Sequence, residues 1–175
     1  IVIPRFGMDV DSAKWVITMI PFFTVIFTPL FGALVDKAGK ATLWMTIGAG
    51  LVLLAHLLLR YAPQGVPFWG YFSIAILGTG YSLVPSAMWP SVPKIVPERN
   101  LGTAYSLIYW VQNMGMLIVP VFVGRIFKIS DGVEAACRAE YIFIALGALA
   151  IAVALALSCT SRKHPELALD KPCGS

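Results

Sequence analysis

The side chains that suit solute recognition are few, uncharged and set within apolar stretches. Tyr105, Tyr109 and Gln112 stand at i, i+4 and i+7, one face of a helix, and Asn113 lies four residues past Tyr109. Carboxamides donate and accept hydrogen bonds, and tyrosine adds a hydroxyl to an apolar ring, so this face suits a peptide amide or a terminal carboxylate. Upstream, Ser82, Ser86 and Trp89 share a second face beside Pro85 and Pro90. Trp89 fits either stacking on a substrate or anchoring at a membrane interface, and the amides fit either binding or bonds between helices. Spacing alone leaves both roles open. This is the chemistry of recognition, not of an enzyme. No nucleophile stands beside a base, and Cys137, Cys159 and Cys173 are odd in number and far apart, which supports neither a zinc site nor a disulfide framework. No cofactor is implied, and a nucleotide-binding G-x-x-x-x-G-K-S/T segment is absent.

The composition says what must hold these residues. Of 175 residues, 58% are hydrophobic and 13% charged, whereas a water-soluble domain carries about a quarter charged residues. That excludes a soluble domain, and the 12% of aromatic residues excludes a disordered chain. The net charge of +4 is spread in small groups with no basic tract for nucleic acid, so the lipid bilayer, with its anionic headgroups, is the expected partner. A helix needs about 20 residues to cross hydrocarbon. Five charge-poor segments meet that length, at about 13–35, 41–60, 67–92, 101–124 and 140–161, with a tail at 162–175. None alternates with period two, so the expected fold is an all-α membrane protein of five transmembrane helices.

Within those spans Thr18, Thr24 and Thr28 are expected to bond back to their own helix, with Pro21 and Pro29 as flex points. Gly102, Gly115 and Gly124 are expected at close helix contacts. Between Ala41 and Leu59 the second span contains one ionisable group, His56, and imidazole titrates near neutral pH. The mixed charges of Arg125 to Glu140 suggest a solvated loop. Placing Lys37, Lys40, Lys94, Arg99, Arg162, Lys163 and Lys171 on one side, against Arg5, Lys14, Arg60, Arg125, Lys128 and Arg138 on the other, makes the first side weakly cytoplasmic. The opening Ile1 to Lys14 lacks a signal-peptide pattern, and the chain reads as the middle of something larger, with an upstream part missing.

Between the first two spans runs G-A-L-V-D-K-A-G-K, Gly32 to Lys40. Gly32 would let a helix end approach a neighbouring backbone, Asp36 places a carboxylate at the membrane face, Gly39 permits the positive φ of a tight reversal, and Lys37 and Lys40 sit at headgroup level. This stretch resembles the loop signature G-x-x-x-D-R/K-x-G-R/K-R/K of the major facilitator superfamily. Gly32, Asp36, Lys37, Gly39 and Lys40 match, and Ala41 departs from the last basic position. The resemblance implies that residues 1–175 are a partial C-terminal transporter domain, helices 8 to 12, with the loop cytoplasmic and an N-terminal half of the same carrier missing. It further implies that Asp36 meets the start of the fourth span, Leu101 to Thr103, as a conformational clamp, with Asn100 as N-cap. It places His56 on a helix outside the cavity, which argues against a proton-coupling role.

A second likeness runs from Ala87 to Gly115, where Trp89, Pro90, Pro97, Glu98, Leu101 to Tyr105, Gln112, Asn113 and Gly115 resemble the domain-containing 1 branch of that superfamily. That branch implies gradient-driven movement of dipeptides or related small molecules by alternating access, a lysosomal or other endomembrane location, and an accessory glycoprotein as partner. Organic anions or sugars are the alternative substrates. A five-helix subunit that transports nothing, or a truncated product, is the alternative from another class.

Overall fold

The computed structural model of the chain describes residues 1–130, 132–167 and 169–171, which form helices and short turns; Cys173 lies outside the described residues. In order the helices are α1 (Val2–Phe6), α2 (Val10–Ala38), α3 (Ala41–Tyr61), α4 (Pro67–Met88), α5 (Val92–Ile95), α6 (Leu101–Ile129) and α7 (Gly132–Lys163). Among the described residues α2, α3, α7 and the stretch containing α6 are long and apolar enough to cross a bilayer. The other expected span, α4, has the length, at 22 residues. It is less apolar because Gly70, Ser73, Gly78, Gly80, Ser82 and Ser86 replace aliphatic side chains, and all six are buried inside the bundle, where no lipid has to be faced.

Helix α4 packs against α2 on one side and α3 on the other, α3 packs against α7, and α7 carries α6, giving the spatial order α2, α4, α3, α7, α6. Small residues set the closest of these contacts. A Cβ on Gly80 would lie 2.9 Å from the Gly48 carbonyl oxygen and 3.0 Å from the Val52 nitrogen, so α3 and α4 touch backbone to backbone. Without a hydrophobic force between helices in lipid, such approach is a main source of packing energy.

Several boundaries differ from the expected ones, for physical reasons. The segment before the first span is not a plain loop: α1 buries Val2, Arg5 and Phe6, and Gly7 ends it in the left-handed region at φ 66°. Asp9 then caps α2, accepting the Asp11 and Ser12 amides at 3.1 and 3.0 Å. The Ser12 side-chain bond first, and these backbone bonds with it, hold the Asp9 carboxyl below its ordinary range. Helix α2 continues through Pro21 and Pro29. Trp89 to Ser91 leave α4 as a tighter 3₁₀ turn, because Pro90 supplies no amide to continue the ladder. The expected loop Arg125 to Glu140 is mostly helix, shared between α6 and α7. Both helices outrun the hydrocarbon, since 29 residues span about 43 Å, and the Arg138–Glu134 ion pair at i, i+4 supports the protruding turn of α7.

Candidate functional site

Three of the expected binding residues converge where α4 gives way to α6. The turn after Met88 swings the Trp89 ring against Tyr109, with centroids 5.0 Å apart and planes at 30°, and against Tyr105 at 5.7 Å and 38°. The Tyr105 hydroxyl donates to the Trp89 carbonyl oxygen at 3.4 Å. Tilted aromatic contacts of this kind are worth about 0.5–1.5 kcal/mol beyond burial, so the three rings act as one platform.

The remaining candidates do other things. Ser86 is buried and its hydroxyl donates to the Ser82 carbonyl at 2.7 Å and the Thr28 carbonyl at 3.1 Å; it joins α4 to α2 and is not free for a substrate. The Asn113 amide donates back to the Tyr109 carbonyl at 2.7 Å, so one of its donors is spent within α6. Gln112 lies apart from the rings, in an open apolar groove of about 620 Å³ with Tyr81 of α4, Met116 and Pro120 of α6, and Phe143 of α7. Every residue of α6 is half-buried or exposed. Added Cβ atoms at Gly102, Gly115 and Gly124 meet nothing within 4 Å, so these glycines make no close helix contact in this chain. Thr18 and Thr24 do bond back to Lys14 and Ile20, whereas the buried Thr28 hydroxyl, expected to do the same, has no hydrogen-bond partner among the described residues.

The α2–α3 loop is tighter than its sequence shows. Gly39 takes φ 64°, as expected, and Lys40 follows it into the left-handed region at φ 57°, a conformation that disfavours a residue with a Cβ. Folding back from the end of α7, the tail holds it there. The Lys40 amide donates to the Asp170 carbonyl at 2.9 Å, and the Asp170 carboxylate accepts the Thr42 amide at 2.9 Å and the Thr42 and Ser161 hydroxyls at 2.9 and 2.8 Å. Asp170 therefore caps α3 from a distance, in place of the Lys40 side chain, which makes no cap bond. Lys94 clasps the same tail through the Lys171 carbonyl at 2.8 Å. Asp36 and Lys37 are exposed beside this junction. A Cβ at Gly32 meets nothing within 4 Å, so no neighbour in this chain requires that glycine. Asn100 precedes α6 as expected, without a side-chain cap bond.

A polar cluster that the sequence reading missed lies at the far end of α3. Glu140, taken as solvated, is 5% exposed, and its Oε2 lies 2.7 Å from Nδ1 of His56. Arg60 donates to the Tyr141 hydroxyl at 2.9 Å and stacks over the Tyr61 and Tyr141 rings. Buried Arg5 donates to the Ala62 carbonyl at 2.7 Å and to Cys137 Sγ at 3.2 Å. The available signal was the presence of ionisable residues within helical reach of an apolar run, the residues that membranes admit only when paired.

Comparison with known proteins fits this arrangement. Residues 2–172 match the family model of the Major Facilitator Superfamily. The chain is 32% identical over 159 residues to the lysosomal dipeptide transporter MFSD1 of Mus musculus, covering 90% of this chain and 32% of that protein. It is 32% identical over 128 residues to the Danio rerio protein of the same name, covering 73% and 27%. It is 25% identical over 122 residues to the uncharacterized transporter YclF of Bacillus subtilis, covering 69% and 24%. The chain thus spans about a third or less of the length of these relatives. Apolar helices of membrane length, a glycine-packed bundle and a match across nearly its whole length make this chain an integral membrane protein that belongs to the Major Facilitator Superfamily.

Proposed function

We propose that the chain is the C-terminal part, helices 8 to 12, of a secondary carrier that moves dipeptides or related amino-acid compounds by alternating access. The observation that carries this reading is the contrast within α6: its rings meet Trp89 while Gln112 and Asn113 stay exposed, next to a groove with no charged side chain in its lining. A helix whose polar groups stay exposed beside an apolar groove, rather than packed between helices, is suited to line a cavity that a second half would close. Peptide termini would be neutralised by charges on that half, and the rings and carboxamides here would take the backbone amides and side chains. The similarity to lysosomal dipeptide transporters supports both the substrate class and an endomembrane location.

In this reading the α2–α3 loop is the conformational switch. The Asp36 carboxylate meets the amino end of α6 at Leu101 to Thr103, where unpaired amides and the helix dipole favour an anion. Gly39, Lys40 and the Asp170 cap fix the loop so that Asp36 and Lys37 are presented together. Uptake of labelled dipeptides into vesicles containing the full-length protein tests the substrate class; transport of sugars or organic anions alone would reject it while keeping the fold. Asp36→Asn should lower the transport rate and shift the ratio of inward- to outward-facing states with little change in substrate affinity. An unchanged ratio and rate would remove the switch.

A further inference from the structure

The proposed transport cycle makes no use of the ionisable pair at the end of the bundle opposite the α2–α3 loop. The His56 and Glu140 side chains are 12% and 7% exposed and 2.7 Å apart. The imidazole lies nearly parallel to the Phe143 ring, at 10° with centroids 5.0 Å apart, and Phe143 is itself a wall of the groove that holds Gln112. We propose that His56 and Glu140 form a proton-binding site whose occupancy is passed through Phe143 to that groove, so that the carrier responds to pH on the side where α3 ends. The proton site stands on this geometry alone, and its link to solute movement rests on the transport reading above.

With the Nδ1–H of neutral His56 donated to the Glu140 carboxylate, the buried pair carries one net negative charge. One proton taken from water at Nε2 turns it into an imidazolium facing a carboxylate, with no net charge; release of that proton reverses the step. A net charge on a buried pair is costly, and the Phe143 ring lies against the imidazole. Charged groups approach the pair from several packed elements. From α1, Arg5 reaches Cys137. From α3, Arg60 lies one turn beyond His56 and bonds Tyr141 of α7. Arg138 of α7 is exposed and occupied with Glu134. Helix α4, packed on the other side of α3, carries no Asp, Glu, Lys, Arg or His. The basic residues of α6, Arg125 and Lys128, are exposed at its far end.

The test uses the full-length protein between about pH 5 and 8, where imidazole ordinarily titrates. His56→Gln keeps a hydrogen-bond donor toward Glu140 but takes up no proton, and Glu140→Gln removes the carboxylate. The wild-type pH dependence of Tm should contain a component that is lost in both variants and that is not lost twice over in the double variant. Phe143→Leu should keep that component and lose at least half of the pH dependence of uptake. A His56→Gln protein whose Tm and uptake follow the wild-type pH profiles overturns the proposal. If either substitution prevents folding, NMR of ¹³C-histidine in the wild type reads the site directly, and a His56 ring that keeps one charge state across the window overturns it as well. If no solute is transported but the Tm component persists and depends on His56, the proton site is upheld and the transport reading fails alone.

Discussion

Helices α4 and α6 each carry three glycines and two tyrosines, yet the bundle treats them in opposite ways. Nine residues of α4 are buried, and its hydroxyls are spent: Ser73, Thr79, Ser82 and Ser86 each donate to a carbonyl one turn back. On α6 no residue is buried, and its glycines face open space. A small or polar residue in a membrane helix is therefore either a packing device or part of a binding surface. What separates the two is whether another helix of the same half already lies against it. Helix α4 is flanked by α2 and α3, whereas α6 touches chiefly α7, which leaves most of its circumference uncovered by the described residues.

The contrast breaks most sharply at Gly80. Leucine there would drive a Cβ to within 3.0 Å of the α3 backbone at two points, Gly48 O and Val52 N, and backbone cannot yield as a flexible side chain does. Overpacking of this kind costs about 3 kcal/mol, so Gly80→Leu should abolish folding or lower the Tm by many degrees in detergent. The same change at Gly115, which meets nothing within 4 Å, should leave the Tm in the same detergent nearly unchanged. Equal losses at the two positions would show that α6 is as tightly packed as α4.

A smaller effect sharpens the difference between hydroxyls. Ser86→Ala removes the one polar bond from α4 to the Thr28 carbonyl, and interhelical bonds in membranes average about 0.6 kcal/mol. A Tm loss of a degree or two with transport kinetics unchanged is the expected result. A rise in KM without a loss of stability would return Ser86 to the substrate site.

Which features were readable follows the distance over which they are encoded. Gly39 was legible because a two-residue reversal needs its positive φ whatever surrounds it, and the shared face of Tyr105 and Tyr109 because spacing fixes a helical face, whereas the seating of Trp89 against them depends on the turn after Met88 and was not. Lys40 in the left-handed region was not legible, since its support comes from Asp170, far along the chain. His56 and Glu140 are separated by 84 residues, and apolar run length measures the hydrocarbon, not the helix, so α7 began earlier than its greasy segment and Glu140 was assigned to water. The partners of Ser86 were hidden for a nearer reason: the back-bonding expected of Thr18 and Thr24 applies equally to serine, and whether it occurs depends on burial, which spacing does not give. The glycines make the same point, for Gly48 and Gly115 look alike until a neighbouring helix is placed.

The smallest stability effect belongs to Gln112, and it decides whether the α6 surface is functional. The side chain is exposed on an apolar groove, and removal of an exposed group changes stability by about 0.5 kcal/mol or less. If the groove is part of a solute pathway, Gln112→Ala should leave the Tm in place while raising KM for dipeptides several-fold, because an amide that paired with Gln112 loses its partner in a site with no charged neighbour to replace it. Gln112→Glu places a carboxylate among Tyr81, Met116, Pro120 and Phe143, and should depress uptake of anionic dipeptides more than cationic ones. Should both variants transport as the wild type does, the open face of α6 is a packing surface awaiting the other half, and the aromatic platform at Trp89 alone is left to contact substrate in this chain.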